Sequence, residues 1–179
     1  MPTPERTSLD EIVLAARDLL EQDGLAGLTM QAVAVAVGVK APSLYKRVAG
    51  RDALIRLVAE ATLSDLGARL AHCESALDLV NSYRAFAHER PAAFHLIMSP
   101  DPSAPDLAPE FGLAATRDIL RVTAQLAGER DALEAARTLT SWATGFIGME
   151  LTGSFRFDGD IDRAWDYGAR HLVEAITAR

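Results

Sequence analysis

Residues 28–57 read LTMQAVAVAVGVKAPSLYKRVAGRDALIRL, a sequence with the signals of two short helices, a tight turn and the start of a longer helix. Thr29 is a favourable N-cap residue before an apolar run, and Gly38 stands where a turn needs an unusual backbone angle. Pro42 fits the first turn of the second helix, which we expect to end near Val48 after about two turns. Two short helices joined by a glycine turn are typical of the DNA-binding helix-turn-helix.

Basic side chains cluster around this predicted turn. The whole chain has a net charge of −7, yet the segment from Gly38 to Arg56 holds five bases and one acid. A basic island on an acidic protein is what a phosphate-binding surface requires, although a solvated helix face is the ordinary alternative. The five basic residues are Lys40, Lys46, Arg47, Arg51 and Arg56.

The segment GVKAPSLYKRVAGRDALIRLV, residues 38–58, resembles the N-terminal domain of the tetracycline-repressor (TetR) family of bacterial transcription regulators. Two positions depart from the typical family pattern: Lys40 stands where a capping Ser or Thr is common, and Arg51 replaces a Lys. Both keep a positive charge, and the resemblance extends over residues 8–72. The matching positions are Val33-Ala34, Gly38-Val39, Pro42-Ser43, Leu44-Tyr45, Lys46-Arg47, Val48, and Arg51-Asp52 before Leu54.

A second resemblance lies in the C-terminal half. SWATGFIGMELTGSF, residues 141–155, together with ERPAAFHLIM, residues 89–98, is similar to a TetR subgroup named for a Trp-His-Gly pattern. Trp142 and Gly145 fit that pattern, but Thr144 stands at the histidine position. The family resemblance implies that the last two helices form a four-helix bundle in a homodimer. Close helix approach at such an interface would explain Gly145 and Gly148, because glycine inside a helix costs about 1 kcal/mol relative to alanine.

Helical periodicity continues through the chain, and no strand pattern of useful length occurs. We therefore expect an all-α protein of about nine helices. Residues 1–52 are predicted to form a three-helix helix-turn-helix domain, and residues 53–179 a helical domain for effector binding and dimerisation. A proline-rich loop is predicted at residues 99–109, between helices at 92–98 and 110–127. The last two helices are expected near 130–152 and 161–178.

Several classes of protein are disfavoured by what the sequence lacks. It has no His-x-x-x-His or Cys-x-x-Cys pair, no glycine-rich phosphate loop and no Gly-x-Ser-x-Gly motif, so we expect no enzyme activity, metal site or cofactor. No apolar run reaches the roughly 18 residues of a membrane helix, and the N-terminus lacks a hydrophobic signal core. With Cys73 as the single cysteine, we expect a cytoplasmic protein that does not associate with a membrane.

These features together predict a ligand-responsive DNA-binding regulator, a repressor released from its operator by a small apolar or aromatic effector. An interaction adaptor that has lost DNA binding is one alternative, and a small helical enzyme is another. A homodimer would place two recognition helices in successive major grooves of double-stranded DNA at a near-palindromic operator.

Nine residues are predicted to contact DNA. Three at the start of the recognition helix should face base edges, namely Ala41, Pro42 and Ser43, with Lys46 nearby. Four others should bind phosphates, namely Thr29, Tyr45, Arg47 and Arg51, and Lys40 suits either role.

An effector pocket is predicted between the helices of residues 75–127 and the helix at 130–152, with the proline-rich loop as its entrance. Its two candidate polar anchors are His95 and Glu150. For Glu150 a contact with an effector and a contact between helices are equally open, and His95 also fits a buried core histidine. The apolar lining is predicted to consist of Tyr83, Phe86, Phe94, Met98, Phe111, Trp142 and Phe146.

Overall fold

The computed structural model describes residues 7–98 and 107–177, which form nine α-helices and no strand. The all-α prediction is therefore confirmed. Most of the predicted proline-rich loop, residues 99–106, lies outside the described residues, as does the tail 1–6. The helices are α1 Leu9–Gly27, α2 Met30–Ala36, α3 Ala41–Leu44, α4 Arg51–Leu70, α5 Ala76–Glu89, α6 Pro91–Met98, α7 Pro109–Ala127, α8 Ala132–Leu151 and α9 Ile161–Thr177.

The chain divides into two compact units, and these differ from the predicted domains 1–52 and 53–179. The first unit comprises Met1–Leu63 with Ala92–Ala108, and the second comprises Ser64–Pro91 with Pro109–Arg179. The difference has two physical causes. The helix α4 continues without a break from Arg51 to Leu70, and α6 contributes the fully buried Ala93 to the core of the first unit.

The first unit is built around a stripe of apolar residues on α1. Ile12, Ala16 and Leu20 repeat at helical spacing and are at most 1 % exposed. They belong to the same core as buried residues of α2, α3 and α4, among them Val33 and Leu54. Each short helix therefore gains its stability from shared packing, because a helix of one or two turns is marginal alone.

The recognition helix α3 is shorter than predicted. Regular α-helix covers Ala41–Leu44, whereas the sequence suggested about two turns ending near Val48. The Val48 amide still donates to the Leu44 carbonyl at 2.9 Å, and the Arg47 amide donates to the same carbonyl at 2.8 Å. One carbonyl thus serves two turns, so the segment continues to Val48 as hydrogen-bonded turns.

The second unit packs α5, α7, α8 and α9 around a core that includes Leu79, Leu139 and Ile147, each at most 1 % exposed. Trp165 on α9 is 1 % exposed, and its indole Nε1 donates to the Asn81 side-chain oxygen on α5 at 2.8 Å. That bond satisfies the one polar group of a large buried ring, so it fixes α9 against α5. Over the two described ranges, no helix is long and apolar enough to cross a membrane.

Candidate nucleic-acid interface and effector site

The helix-turn-helix begins with a capped helix. Thr29 is the N-cap of α2, and its Oγ1 accepts a hydrogen bond from the Ala32 amide at 3.1 Å. Accepting this bond leaves the hydroxyl proton available as a donor. Gly38 then adopts φ 71° in the turn before α3, a conformation that favours glycine. Thr29 is exposed, so its predicted phosphate contact fits its position.

Two buried apolar residues anchor the recognition helix. Leu44 is 1 % exposed and Val48 is 2 % exposed, and both belong to the core of the first unit. Pro42 and Ser43 are exposed on the same segment. Ala41, which was predicted to face a base, is half-buried and packs against that core. Of the three residues expected at base edges, two therefore lie fully on the surface.

The polar residues that follow form an exposed surface. Tyr45 is 56 % exposed, and Lys40, Lys46 and Arg47 are exposed too. Lys40 is the N-cap residue of α3, and its side chain makes no capping hydrogen bond within the part of the chain that the structure describes. A groove of about 460 Å³ opens beside this surface, lined by Thr7, Ile12, Val39, Ser43, Leu44, Lys46 and Arg47.

Arg51 differs from the other basic residues of this surface because its side chain forms hydrogen bonds to backbone carbonyls of the first unit. Its Nε donates to the Leu28 carbonyl at 2.8 Å, and its Nη2 donates to the Leu25 carbonyl at 2.5 Å. The start of α4 is thereby fixed to the C-terminal end of α1 and to the residue that follows it. Since a guanidinium has five N–H donors, the remaining ones leave the predicted phosphate contact of Arg51 open.

The predicted effector residues fall in both units. Three lie on α6 in the first unit: Phe94 is buried, Met98 half-buried and His95 exposed. His95 therefore does not fit the alternative of a buried core histidine. The remaining six lie in the second unit, namely Tyr83, Phe86, Phe111, Trp142, Phe146 and Glu150.

Trp142 and Phe146 belong to an aromatic cluster between α8 and α9. The centroid of the Trp142 ring lies 5.8 Å from that of Phe146 and 4.7 Å from that of Trp165. The ring centroids of Phe146 and Phe155 are 4.8 Å apart. A Cβ atom built on Gly168 would come within 2.5 Å of the Trp142 ring. The glycine thus lets α9 lie directly against the indole. Trp142 and Phe146, which were predicted to line the effector pocket, therefore use much of their surface in packing between helices.

Tyr83 and Thr144 form a polar pair between α5 and α8. The Tyr83 hydroxyl lies 2.9 Å from Thr144 Oγ1, while the Tyr83 side chain is only 4 % exposed. Burial raises the pKa of the Tyr83 phenol, because the charged phenolate is disfavoured in an apolar environment. The threonine at the histidine position of the subgroup pattern therefore has a defined partner.

Glu150 takes part in an ion-pair network between helices. Arg84 on α5 donates to both its oxygens, from Nε at 3.0 Å and from Nη2 at 2.5 Å. His88 Nε2 lies 3.0 Å from Glu150 Oε2, and Asp162 on α9 accepts from Arg84 Nη2 at 2.6 Å. The hydrogen bonds from Arg84 hold the pKa of Glu150 below its ordinary value. Of the two interpretations of Glu150, the structure contains the contact between helices.

Comparisons with known proteins match both halves of the chain. Residues 5–58 match the family model described as bacterial regulatory proteins, tetR family, and residues 76–172 match the tetracyclin repressor-like C-terminal domain. An HTH-type transcriptional regulator of Mycobacterium tuberculosis is 30 % identical over 162 residues, which cover 84 % of this chain and 73 % of the relative. The chain belongs to the tetR family.

Solved structures share the fold of this TetR-family chain. A protein of unknown function from Rhodococcus sp. RHA1 has a TM-score of 0.81 at 21 % identity, with 97 % of this chain and 98 % of that chain covered. A TetR variant from Acinetobacter baumannii AYE in complex with minocycline has a TM-score of 0.68 at 20 % identity, with 94 % and 96 % covered.

Family membership makes this chain a DNA-binding transcriptional regulator with an N-terminal helix-turn-helix. Proteins of the family bind DNA and effectors and are usually dimeric. Within residues 7–98 and 107–177, no group of three or more His, Cys, Asp or Glu side chains is arranged to hold a metal ion.

Sequence reasoning missed the residues that organise the second unit. Arg84, Asn81 and Trp165 were not predicted to matter, although they join α5, α8 and α9. The signal was present only in part: Arg84 and His88 are four residues apart and therefore share a helix face. Their partner Glu150 is more than 60 positions away along the chain, and no local pattern connects residues so distant.

Proposed function

We propose that this TetR-family regulator is a homodimeric repressor that leaves its operator when a small apolar or aromatic effector binds. The proposal rests on one observation: the recognition segment has buried apolar residues that anchor it and exposed side chains that are free to contact DNA. Leu44 and Val48 are buried in the first unit, whereas Pro42, Ser43 and Arg47 lie on its surface. A rigidly anchored segment with exposed polar side chains is suited to the major groove.

We assign DNA contacts by the chemistry of each exposed side chain. Pro42 and Ser43 read base edges, with Lys46 beside them. Phosphates are bound by Thr29, Tyr45 and Arg47, while Lys40 serves either role. Phosphate contacts set position and supply most of the salt dependence, whereas base contacts select the sequence.

The proposed dimer is formed by α8 and α9. Gly145 and Gly148 are exposed on α8, and apart from the neighbouring backbone of α8 itself, a Cβ atom at either position would meet no atom of the described residues within 4 Å. Packing within the monomer therefore does not explain why two glycines, which weaken a helix, occur at these positions. Ser141 is exposed at helical spacing with them, so three small residues form a stripe along α8. A second copy of α8 can approach closely along this stripe.

The proposed effector is uncharged or weakly charged. Arg84 and Glu150, which are among the few partly buried charges of the second unit, already neutralise each other. The aromatic side chains and the hydroxyl groups of Tyr83 and Thr144 offer apolar contact and neutral hydrogen bonds. A TetR variant with the same fold has been solved with minocycline, which supports small-molecule binding here.

The test is ligand release. Duplexes that the protein binds are first selected from a random-sequence pool. Apolar and aromatic compounds are then titrated into the protein–DNA complex, and the fraction of bound DNA is measured by fluorescence anisotropy. A coupling of about 1–3 kcal/mol predicts that an active compound weakens DNA binding roughly 5- to 150-fold. DNA binding that no compound alters would contradict the effector response. Failure to enrich any duplex would favour the adaptor.

A further inference from the structure

Glu21 on α1 makes hydrogen bonds to the first turn of α6 within the first unit. Its two carboxylate oxygens accept hydrogen bonds from the Ala92 and Ala93 amides, each at 3.0 Å. Those amides belong to the first turn of α6, where backbone N–H groups have no partner within the helix. A carboxylate at this end of a helix is also favoured by the helix dipole. Residue 21 thus caps a helix that begins 70 positions later.

Packing and hydrogen bonding connect α6 to the DNA-reading unit at the same place. Ala93 is fully buried in the core that holds Leu20 and Leu44, and Ala92 and Leu96 pack against that core. The recognition segment and α6 therefore share one hydrophobic core. Glu21 supplies the directional part of this attachment, because two hydrogen bonds fix the angle of a helix better than apolar contact alone.

We propose that Glu21 is a positioning residue that makes α6 part of the DNA-reading unit and so transmits between the effector site and DNA. The inference rests on the proposed function and on the sequence prediction that Phe94, His95 and Met98 of α6 contact the effector. An effector that displaces α6 must then either move α1 with it or break the Glu21 cap. By reciprocity, DNA bound to the reading unit must stabilise α6.

Hydrogen–deuterium exchange tests this link without an effector. Exchange is measured for residues 92–98 of α6 and 12–20 of α1, in the free protein and with a duplex selected from a random-sequence pool. In the wild type, DNA should slow exchange in both segments by similar factors. In Glu21→Ala, DNA should still protect α1, while the protection of α6 should fall about 2- to 30-fold, the range expected for an anion at a helix terminus.

Two further variants separate positioning from general stability. Glu21→Gln keeps one acceptor oxygen and loses the charge, so its effect should lie between those of wild type and Glu21→Ala. Asp23→Asn makes the same change of charge on an exposed residue of α1 and should behave as the wild type. A residue that only stabilised the unit would lower protection in α1 and α6 alike.

The outcomes distinguish the link from the function on which it rests. Equal protection of α6 and α1 in Glu21→Ala, or no protection of α6 in the wild type, would overturn the link while DNA binding stands. If no duplex is selected, the proposed function fails. In that case the cap is still tested in the free protein, where Glu21→Ala must speed exchange in residues 92–98 more than in 12–20.

Discussion

Arg84 on α5 and Glu150 on α8 are joined by two hydrogen bonds, from Nε at 3.0 Å and from Nη2 at 2.5 Å. Their side chains are only 17 % and 11 % exposed, so solvent screens the pair weakly. The pair therefore stabilises the second unit, and it occupies the carboxylate that the sequence had offered as an effector anchor.

This pair predicts a pH-dependent stability. The pKa of Glu150 is lowered in the folded protein, mainly by hydrogen bonds from Arg84 and then by one from His88. A carboxyl with a lowered pKa stabilises the fold above its unfolded pKa of about 4.3, and this contribution is lost as pH falls through the folded value. Glu150→Gln should lower the free energy of unfolding by about 1.5–3 kcal/mol at pH 7.

The measurement is chemical denaturation of both proteins from pH 7 to about pH 3. The difference between wild type and Glu150→Gln should shrink below about pH 5, where the carboxyl begins to take up its proton in the unfolded state while it is still ionised in the fold. The exposed Glu89, which pairs with Arg69, supplies the control: Glu89→Gln should change stability much less. A difference that stays constant over the whole pH range would contradict a charged pair.

The sequence predicted most of the fold because local signals carried it. The capping threonine, the turn glycine and the helical periodicity identified α2, α3 and the all-α class. Domain and helix boundaries that depend on tertiary contacts were harder to predict from the sequence. Ala93 looks like any alanine in its segment, yet its burial assigns α6 to the first unit. Regular α3 helix also ends earlier than predicted, at Leu44, and the chain continues to Val48 as hydrogen-bonded turns.

The predicted DNA contacts were chosen by residue type, which does not reveal the hydrogen bonds that each side chain makes within the protein. Pro42, Ser43, Tyr45 and Arg47 are exposed as a DNA surface requires. Arg51 looked equivalent to Arg47 in sequence, but its guanidinium binds two backbone carbonyls more than 20 positions away. Which of several arginines is held inside the protein depends on such distant carbonyls.

Arg47 is predicted to bind phosphate. Arg47→Ala should weaken binding to every duplex by a similar factor and reduce the slope of log affinity against log salt by about one unit. Fluorescence anisotropy over a salt series measures both quantities. Arg117→Ala removes the same charge from an exposed position on α7 and should leave the slope unchanged. An unchanged slope in Arg47→Ala would refute the phosphate assignment.

Gly148 is predicted to lie in the dimer interface. Gly148→Leu should push the facing helices apart and abolish the dimer. The monomer should not be destabilised, because the new side chain meets open space in the described structure and leucine favours helix by about 1 kcal/mol over glycine. Sedimentation measures the mass and circular dichroism the stability. Gly112→Leu is the control on α7, where a Cβ atom also meets nothing within the described ranges. A Gly148→Leu protein that stays dimeric would place the interface elsewhere.

Phe94 is predicted to contact the effector. Replacing a buried phenylalanine by alanine costs about 3–5 kcal/mol, so Phe94→Leu is the better probe because it keeps most of the apolar volume. It should reduce the release of DNA by an active compound about tenfold and leave effector-free DNA affinity nearly unchanged. Phe157→Leu makes the same substitution at a 98 % exposed position and should alter neither quantity. Loss of DNA binding by folded Phe94→Leu would contradict separate effector and DNA sites.

The central claim is that two copies of this chain read a specific DNA sequence through their exposed recognition segments. Selection of duplexes from a random-sequence pool, followed by sequencing and footprinting, measures this directly. The predicted result is one near-palindromic site whose half-sites lie roughly 34–36 Å apart, or one helical turn, with enrichment lost in Ser43→Ala or Lys46→Ala. Bound duplexes without shared sequence, or a single half-site without symmetry, would contradict the account.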